Sequence, residues 1–218
     1  SGGKIKESFT DTDVDLVADK LTMTAVSGIT GLEVAINELT QAHTTGGDIS
    51  ISEEDGYIEK TEGLIIKSVK TAKNASTTVT LQAENDLQVL STSKIIGDTI
   101  RLISVDENIE VATPTSGDSL DFTVGIGFSA TKGVVDIYKF FNATNLIEYR
   151  AGKYFQFGST DSKLLPGNLS AHSIILETGS VLSISGTLTA SKLLELKSGA
   201  DVIINGDIIA SDGAIDEI

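Results

Sequence analysis

The side chains that usually perform chemistry are few in this chain, and they are scattered. There are two histidines, His43 and His172, and two arginines, Arg101 and Arg150. Cysteine is absent, which removes thiolate nucleophiles, disulfides and Cys-ligated metals. His43 and His172 sit in Ala-His-Thr and Ala-His-Ser contexts and read as ordinary surface histidines at corners. No Gly-x-Ser-x-Gly, His-Glu-x-x-His or glycine-rich phosphate loop occurs. Asp11, Asp13 and Asp15 begin like a calcium-binding EF-hand loop. Its sixth position is Leu16 and its twelfth is Thr22, where Gly and Glu are required. Glu53-Glu54-Asp55-Gly56 and Asp106-Glu107-Asn108 are acidic turns, read as plain polar turns against the alternative of a weak ion site. No catalytic, cofactor-binding or metal-ligating residue is assigned, and no cofactor is expected.

One local anomaly remains. Residues 125–160 hold Phe128, Tyr138, Phe140, Phe141, Tyr149, Tyr154, Phe155 and Phe157, eight of the eleven aromatics. Between Lys132 and Phe157 four positive and two negative side chains stand, in a chain whose net charge is −15. Aromatic faces stack on sugars or anchor protein interfaces. Tyr149, Arg150, Tyr154, Phe155 and Phe157 are therefore the candidate contacts for a glycan or a protein partner. The competing reading is that these rings fill the interior of an enlarged repeat or seal a junction.

Composition narrows the partners. Acidic residues number 31 against 16 Lys plus Arg, so nucleic acid and anionic membrane surfaces are repelled. No apolar run reaches the roughly 18 to 20 residues of a membrane-spanning helix. Gly appears 21 times, Pro twice and Trp not at all. Abundant Thr, Ser, Val and Ile make this strand chemistry with glycine corners.

Internal repeats then fix what must position any site. Gly167-Asn168-Leu169-Ser170-Ala171 returns as Gly186-Thr187-Leu188-Thr189-Ala190 and as Gly206-Asp207-Ile208-Ile209-Ala210. Gly179 and Gly199 are 20 apart. A looser version runs earlier, from Gly97-Asp98-Thr99-Ile100 to Gly117-Asp118-Ser119-Leu120. Each strand turns one row of side chains inward, because side chains alternate. A single 20-residue turn has no partner for its backbone or its apolar row. Stacking successive turns supplies both. The expected fold is an all-β parallel β-helix with rungs of about 20 residues, hence roughly ten to eleven rungs in a rod about 50 Å long. A β-sandwich, the competing fold, would not repeat one frame three times. The stacking predicts Ile184, Leu188 and Ala190 on Ile204, Ile208 and Ala210, with Leu165, Leu169 and Ala171 one rung below. Residues 28–43 carry Ile29, Leu32, Ile36 and Leu39 at helical spacing, yet Leu32, Val34 and Ile36 also alternate, and strand is expected.

Four segments follow from this reading. Residues 1–3 look like a tag remnant, and 4–124 form a β-helix with looser repeats. Residues 125–160 are the aromatic-rich irregular stretch or junction, and 161–218 hold the regular rungs. The chain stops at Ile218 within a strand-like pattern, which reads as a segment of a longer protein.

The wording of the N-terminal part adds a resemblance. Val14-Asp15-Leu16-Val17-Ala18-Asp19-Lys20-Leu21-Thr22-Met23, Gly28-Ile29-Thr30-Gly31-Leu32-Glu33 and Thr44-Thr45-Gly46-Gly47-Asp48-Ile49-Ser50-Ile51 are similar to the repetitive region of large bacterial filamentous-haemagglutinin-type adhesins. The resemblance extends in style over about two-thirds of the chain. It implies a right-handed helix, secretion to the cell surface and a stalk or adhesive role without enzymatic activity. It brings no functional residue with it. Expected partners are a glycan or protein of a host or neighbouring cell, or adjacent copies of the parent fibre. The alternative function on the same fold is a polysaccharide lyase, glycosidase or phage tailspike fragment, which would need convergent carboxylates. Most acids here, such as Asp15, Glu110, Asp121 and Glu195, fall on outward positions that keep a rod soluble.

Overall fold

The computed structural model describes residues 2–7, 13–54, 63–73, 76–115, 119–138, 141–153, 155–156, 164–165 and 168–210. Among them there is no helix, and every strand pairing is parallel. Parallel pairing between segments one turn apart makes the chain a parallel β-helix. Seventeen strands belong to one sheet and three to a second.

Three ladders run along the rod. The first is the most continuous. It stacks Ile5, Ile29, Ile49, Val79, Ile100, Ile126, Ile147, Ile174 and Leu194 in register. From Ile29 to Leu194 all of these are buried. The second ladder passes through Leu21, Leu39, Ile66 and Val89 to Val111 and Ile137. The third passes through Met23, Ala42, Val69, Ile95 and Leu120. Long strands such as Ile29–Thr44 and Leu87–Ile96 bend from one ladder to the next, with register shifts at the corners.

Why the sequence stacks this way is visible in single strands. Thr78–Ala83 buries Val79, Leu81 and Ala83 while Thr80 and Gln82 stay half-exposed. The same alternation recurs in Thr99–Ser104 and Leu146–Ala151. Aliphatic rows therefore meet at the axis, where burying each side chain contributes about 1.5–3 kcal/mol.

The regular C-terminal frame stands as the repeats predict. Ile184 pairs with Ile204, Leu188 with Ile208 and Ala190 with Ala210. Leu165, Leu169 and Ala171 lie one rung below. Residues 29–44 form one strand. The number of rungs is smaller than expected: the first ladder has nine positions among the described residues, 20 to 30 residues apart, which spans roughly 40 Å at ~4.8 Å per step.

Corners explain the recurring Gly and Asp or Asn. A Cβ on Gly199 would run into the carbonyl of Gly179, and one on Gly179 into the carbonyl of Gly152. The 20-residue glycine repeat is thus a column where backbones nearly touch. Corner carboxyls and amides tie neighbouring rungs together. Asp48 Oδ1 accepts from Thr78 N at 2.8 Å, Asp86 Oδ1 from Asn108 N at 2.8 Å, and Asn108 Oδ1 from Val134 N at 2.9 Å.

Candidate functional site

The aromatic stretch lies within the stack. Gly125–Ala130 and Leu146–Ala151 continue the first ladder in full register. Their inward column runs Leu102, Phe128, Tyr149, Leu176, so Phe128 and Tyr149 occupy positions that are leucine on either side. Their ring centroids are 5.3 Å apart. Phe141 packs edge-on to Phe122 at 5.5 Å and to Tyr138 at 5.4 Å, and Phe155 meets Tyr149 at 6.4 Å. Such tilted and edge-to-face pairs add to the area they bury. Aromatic rings replace aliphatic side chains across two successive rungs.

This corrects two of the expected contacts. Tyr149 is 0% exposed, and its hydroxyl accepts the Phe141 backbone N–H at 3.1 Å. Burial pushes that phenol well above the usual tyrosine range, against the lowering effect of the Phe141 hydrogen bond. Phe155 is 7% exposed. Both rings are core, because alternation turns them towards the axis. Tyr154 and Phe157 lie outside the described residues. Of the expected set, Arg150 is on the outer face.

Arg150 organises a charged stripe there. Its Nε donates to Glu148 Oε1 at 2.8 Å, and its Nη1 donates to Glu177 on the next rung. One rung further, Lys197 Nζ lies 2.7 Å from Glu195 Oε1. Partial burial lowers the Arg150 pKa, but the two carboxylates outweigh it, and the net shift is upwards. Lys197 is likewise raised, by its hydrogen bond to Glu195 and then by the charges of Glu195 and Glu177.

The stripe lines a groove of about 1210 Å³. Ser129 and Thr131 enter from the lower rungs, and Arg150, Glu177, Glu195 and Lys197 form its charged wall. Gly152, Gly179 and Gly199 make its floor at the corner. These glycines let successive rungs close up at that corner, since a Cβ on each would meet the backbone of the rung below. Hydroxyls, a guanidinium and carboxylates on one open surface suit a ligand rich in hydroxyl groups, held by hydrogen bonds. Two carboxylates hold the guanidinium through Nε and Nη1, so a ligand would meet the triad as a preassembled unit with further N–H donors to offer.

The two histidines have structural partners. His43 lies inside a strand rather than at a corner, half-buried, with Nε2 2.7 Å from Ser68 Oγ. His172 reaches Asn145 Oδ1 at 3.4 Å. Among the described residues no three His, Asp or Glu side chains converge as a metal site would require. No described helix is long and apolar enough to cross a membrane. Sequence reasoning did not join Glu148, Glu177 and Lys197 to Arg150, and read Glu195 only as an outward acid. The available signal was their outward parity with Arg150 in rungs one frame apart. Comparison with known proteins gives no match: no family model, no curated protein and no solved structure is similar to the chain.

Proposed function

We propose that the chain is a rigid structural or adhesive segment of a large secreted bacterial surface protein, without catalysis of its own. It serves as a stalk or surface-contact module, and the groove around Arg150 is its contact surface. The observation that carries this reading is the unbroken first ladder, whose inward column is aliphatic or aromatic at every rung from Ile29 to Leu194. Such a ladder provides length and stiffness, and each rung gains its backbone partners from its neighbours. The groove adds a place where polyhydroxylated ligands can be held without covalent change. Binding to a glycan array or to whole cells tests it. Arg150→Ala should remove binding while the melt stays close to wild type, and undiminished binding would sink the assignment.

A second reading is a polysaccharide-cleaving β-helix, favoured by one observation: three glutamates, Glu148, Glu177 and Glu195, share the stripe. Against it, each is held by Arg150 or Lys197, whereas a general acid must carry a transferable proton. Depolymerisation of any polysaccharide, lost in Glu177→Gln, would establish this reading instead.

A further inference from the structure

Two stripes of opposite sign run along the rod on different faces. The basic one lies on the outer side of the third ladder and the edge it shares with the second. Lys20 and Lys67 flank Glu38 at 3.7 and 3.9 Å. Thr24, His43 and Lys70 form one outward column, and Ser68 and Lys94 stand beside it. Among the described residues neither Lys70 nor Lys94 forms an ion pair. His43 reports the local field: burial lowers its pKa, and the charge of Lys70 lowers it further.

The acidic stripe lies where the first ladder turns into the second, and on the outer face of the second. Glu84, Asp86, Asp106 and Glu107 occupy successive turns, with Glu110 and Asp136 in register beside them. Lys132 is the one cation there among the described residues, and Asp106 takes it at 2.5 Å. Glu110 is crowded: burial raises its pKa first, followed by the charges of Asp86 and Asp136.

We propose that the basic stripe of Lys67, Lys70 and Lys94 is a docking surface for the acidic stripe of a second copy of this chain, so that rods associate side by side. Charge complementarity selects this occupant. The acidic stripe covers three successive rungs, and the basic one covers two, with Lys20 two rungs below Lys67; both share the ~4.8 Å repeat, so two aligned rods bring them together. The stripes lie on different faces, so the contact is heterologous. A docked pair keeps one acidic stripe free on one copy and one basic stripe free on the other for further neighbours. The net charge of −15 opposes association, but at about 0.1 M salt the screening length is roughly 10 Å. Touching stripes still attract under those conditions, while the remaining charges are screened. Association should therefore peak at moderate salt and fall away on both sides. The proposal rests on the rod being a structural segment, and it leaves the Arg150 groove unoccupied.

Sedimentation velocity over a range of protein concentrations and salt tests it. Wild type should sediment faster as concentration rises at moderate salt. The combined variant Lys67→Glu, Lys70→Glu, Lys94→Glu carries two acidic stripes and should remain monomeric. The combined variant Glu84→Lys, Glu107→Lys, Glu110→Lys carries two basic stripes and should also remain monomeric. Mixing the two should restore association. Lys70→Glu with Lys94→Glu, both at exposed positions, replaces the first variant if Lys67 is needed for folding. A wild type that stays monomeric at every salt overturns the proposal. So does a variant that associates as wild type does, or a mixture that fails to associate. Glycan-array binding by the charge variants separates this outcome from the groove reading, because Arg150 is intact in all of them.

Discussion

Tyr149 decides whether the aromatic stretch is core or contact surface. Its ring is wholly buried between Phe128 and Leu176, and its hydroxyl accepts the Phe141 N–H. Truncation to Ala removes the ring from a closed column, leaving a cavity that rungs pinned above and below cannot collapse to fill. Phe or Trp to Ala changes of this kind cost about 3–5 kcal/mol. Tyr149→Phe keeps the ring and removes the hydroxyl that accepts the Phe141 N–H, at a cost of about 1–3 kcal/mol. With an unfolding entropy near 2.1 cal/mol/K per residue, a 218-residue chain loses about 4 °C of Tm for 2 kcal/mol and about 9 °C for 4 kcal/mol. Thermal melts followed by far-UV circular dichroism should therefore rank wild type above Tyr149→Phe above Tyr149→Ala. A Tyr149→Ala melt within about a degree of wild type, equivalent to less than ~0.5 kcal/mol, would refute the core assignment. Loss of ligand binding by that variant with its melt intact would restore Tyr149 to the contact surface.

Further outcomes follow from the same geometry. Leu188 is 0% exposed and in register with Leu169 and Ile208, so Leu188→Asp should cost several kcal/mol by placing a carboxylate in the column. Thr189→Asp, turned outward, should cost little, and melts ranking the two the other way would overturn the inward assignment. Gly199→Ala should destabilise clearly because its Cβ would meet the Gly179 carbonyl, whereas Gly2→Ala, with open space around it, should be neutral by the same melt. Glu110 has a pKa raised in the folded state, chiefly by burial and then by Asp86 and Asp136, so its ionised form is disfavoured by folding. Glu110→Gln should raise the melting temperature at pH 7, and the gain should vanish as pH falls below the ordinary value of 4.5, where the carboxyl is protonated in both states. His43 shifts the other way, lowered by burial and then by Lys70. It favours the fold while neutral, and stability should fall as pH drops below 6.5, a loss that His43→Gln should diminish.

The C-terminal rungs were legible because a strict frame of Gly, an aliphatic residue and Ala recurs with almost no insertion. Register followed from counting: Leu169, Leu188 and Ile208 had to stack. The rung total was overestimated because the N-terminal turns are longer, with Ile49 and Val79 adjacent in space though 30 residues apart. Counting cannot reveal such excursions when polar corner residues vary freely in number. The aromatic stretch left two readings open, contact patch or filled interior, for a related reason. Aromatic residues beside Arg and Lys suggest a surface patch by composition, but parity decides orientation. Tyr149 and Arg150 are adjacent and must point to opposite sides, and Tyr149 shares the inward parity of Ile147 and Ala151. Glu148 and Arg150 share the outward parity, which makes them partners. The bond from Arg150 to Glu177 needed the register between rungs, and the longer turn between Ile147 and Ile174 concealed it.

What the solenoid does with its charges follows from its topology. Inward positions repeat at every rung and are mostly apolar, with a few polar exceptions such as Glu53, Ser104 and Thr178, so an acidic composition must be carried largely on outward columns. Stacking then places outward residues of successive rungs about 4.8 Å apart, close enough that like charges in one column repel and opposite charges pair. At the C-terminal end this yields Glu148, Arg150 and Glu177 on adjoining rungs, then Glu195 with Lys197, a stripe whose charges are paired within it. Towards the N-terminal end the signs separate onto different faces, with Lys70 and Lys94 on one and Glu107 and Glu110 on another. An internally paired stripe can present hydrogen-bonding groups to a ligand without needing a strong counter-charge. Separated stripes leave charge free to meet another charged surface, and the solenoid carries the complement of each on its own flank.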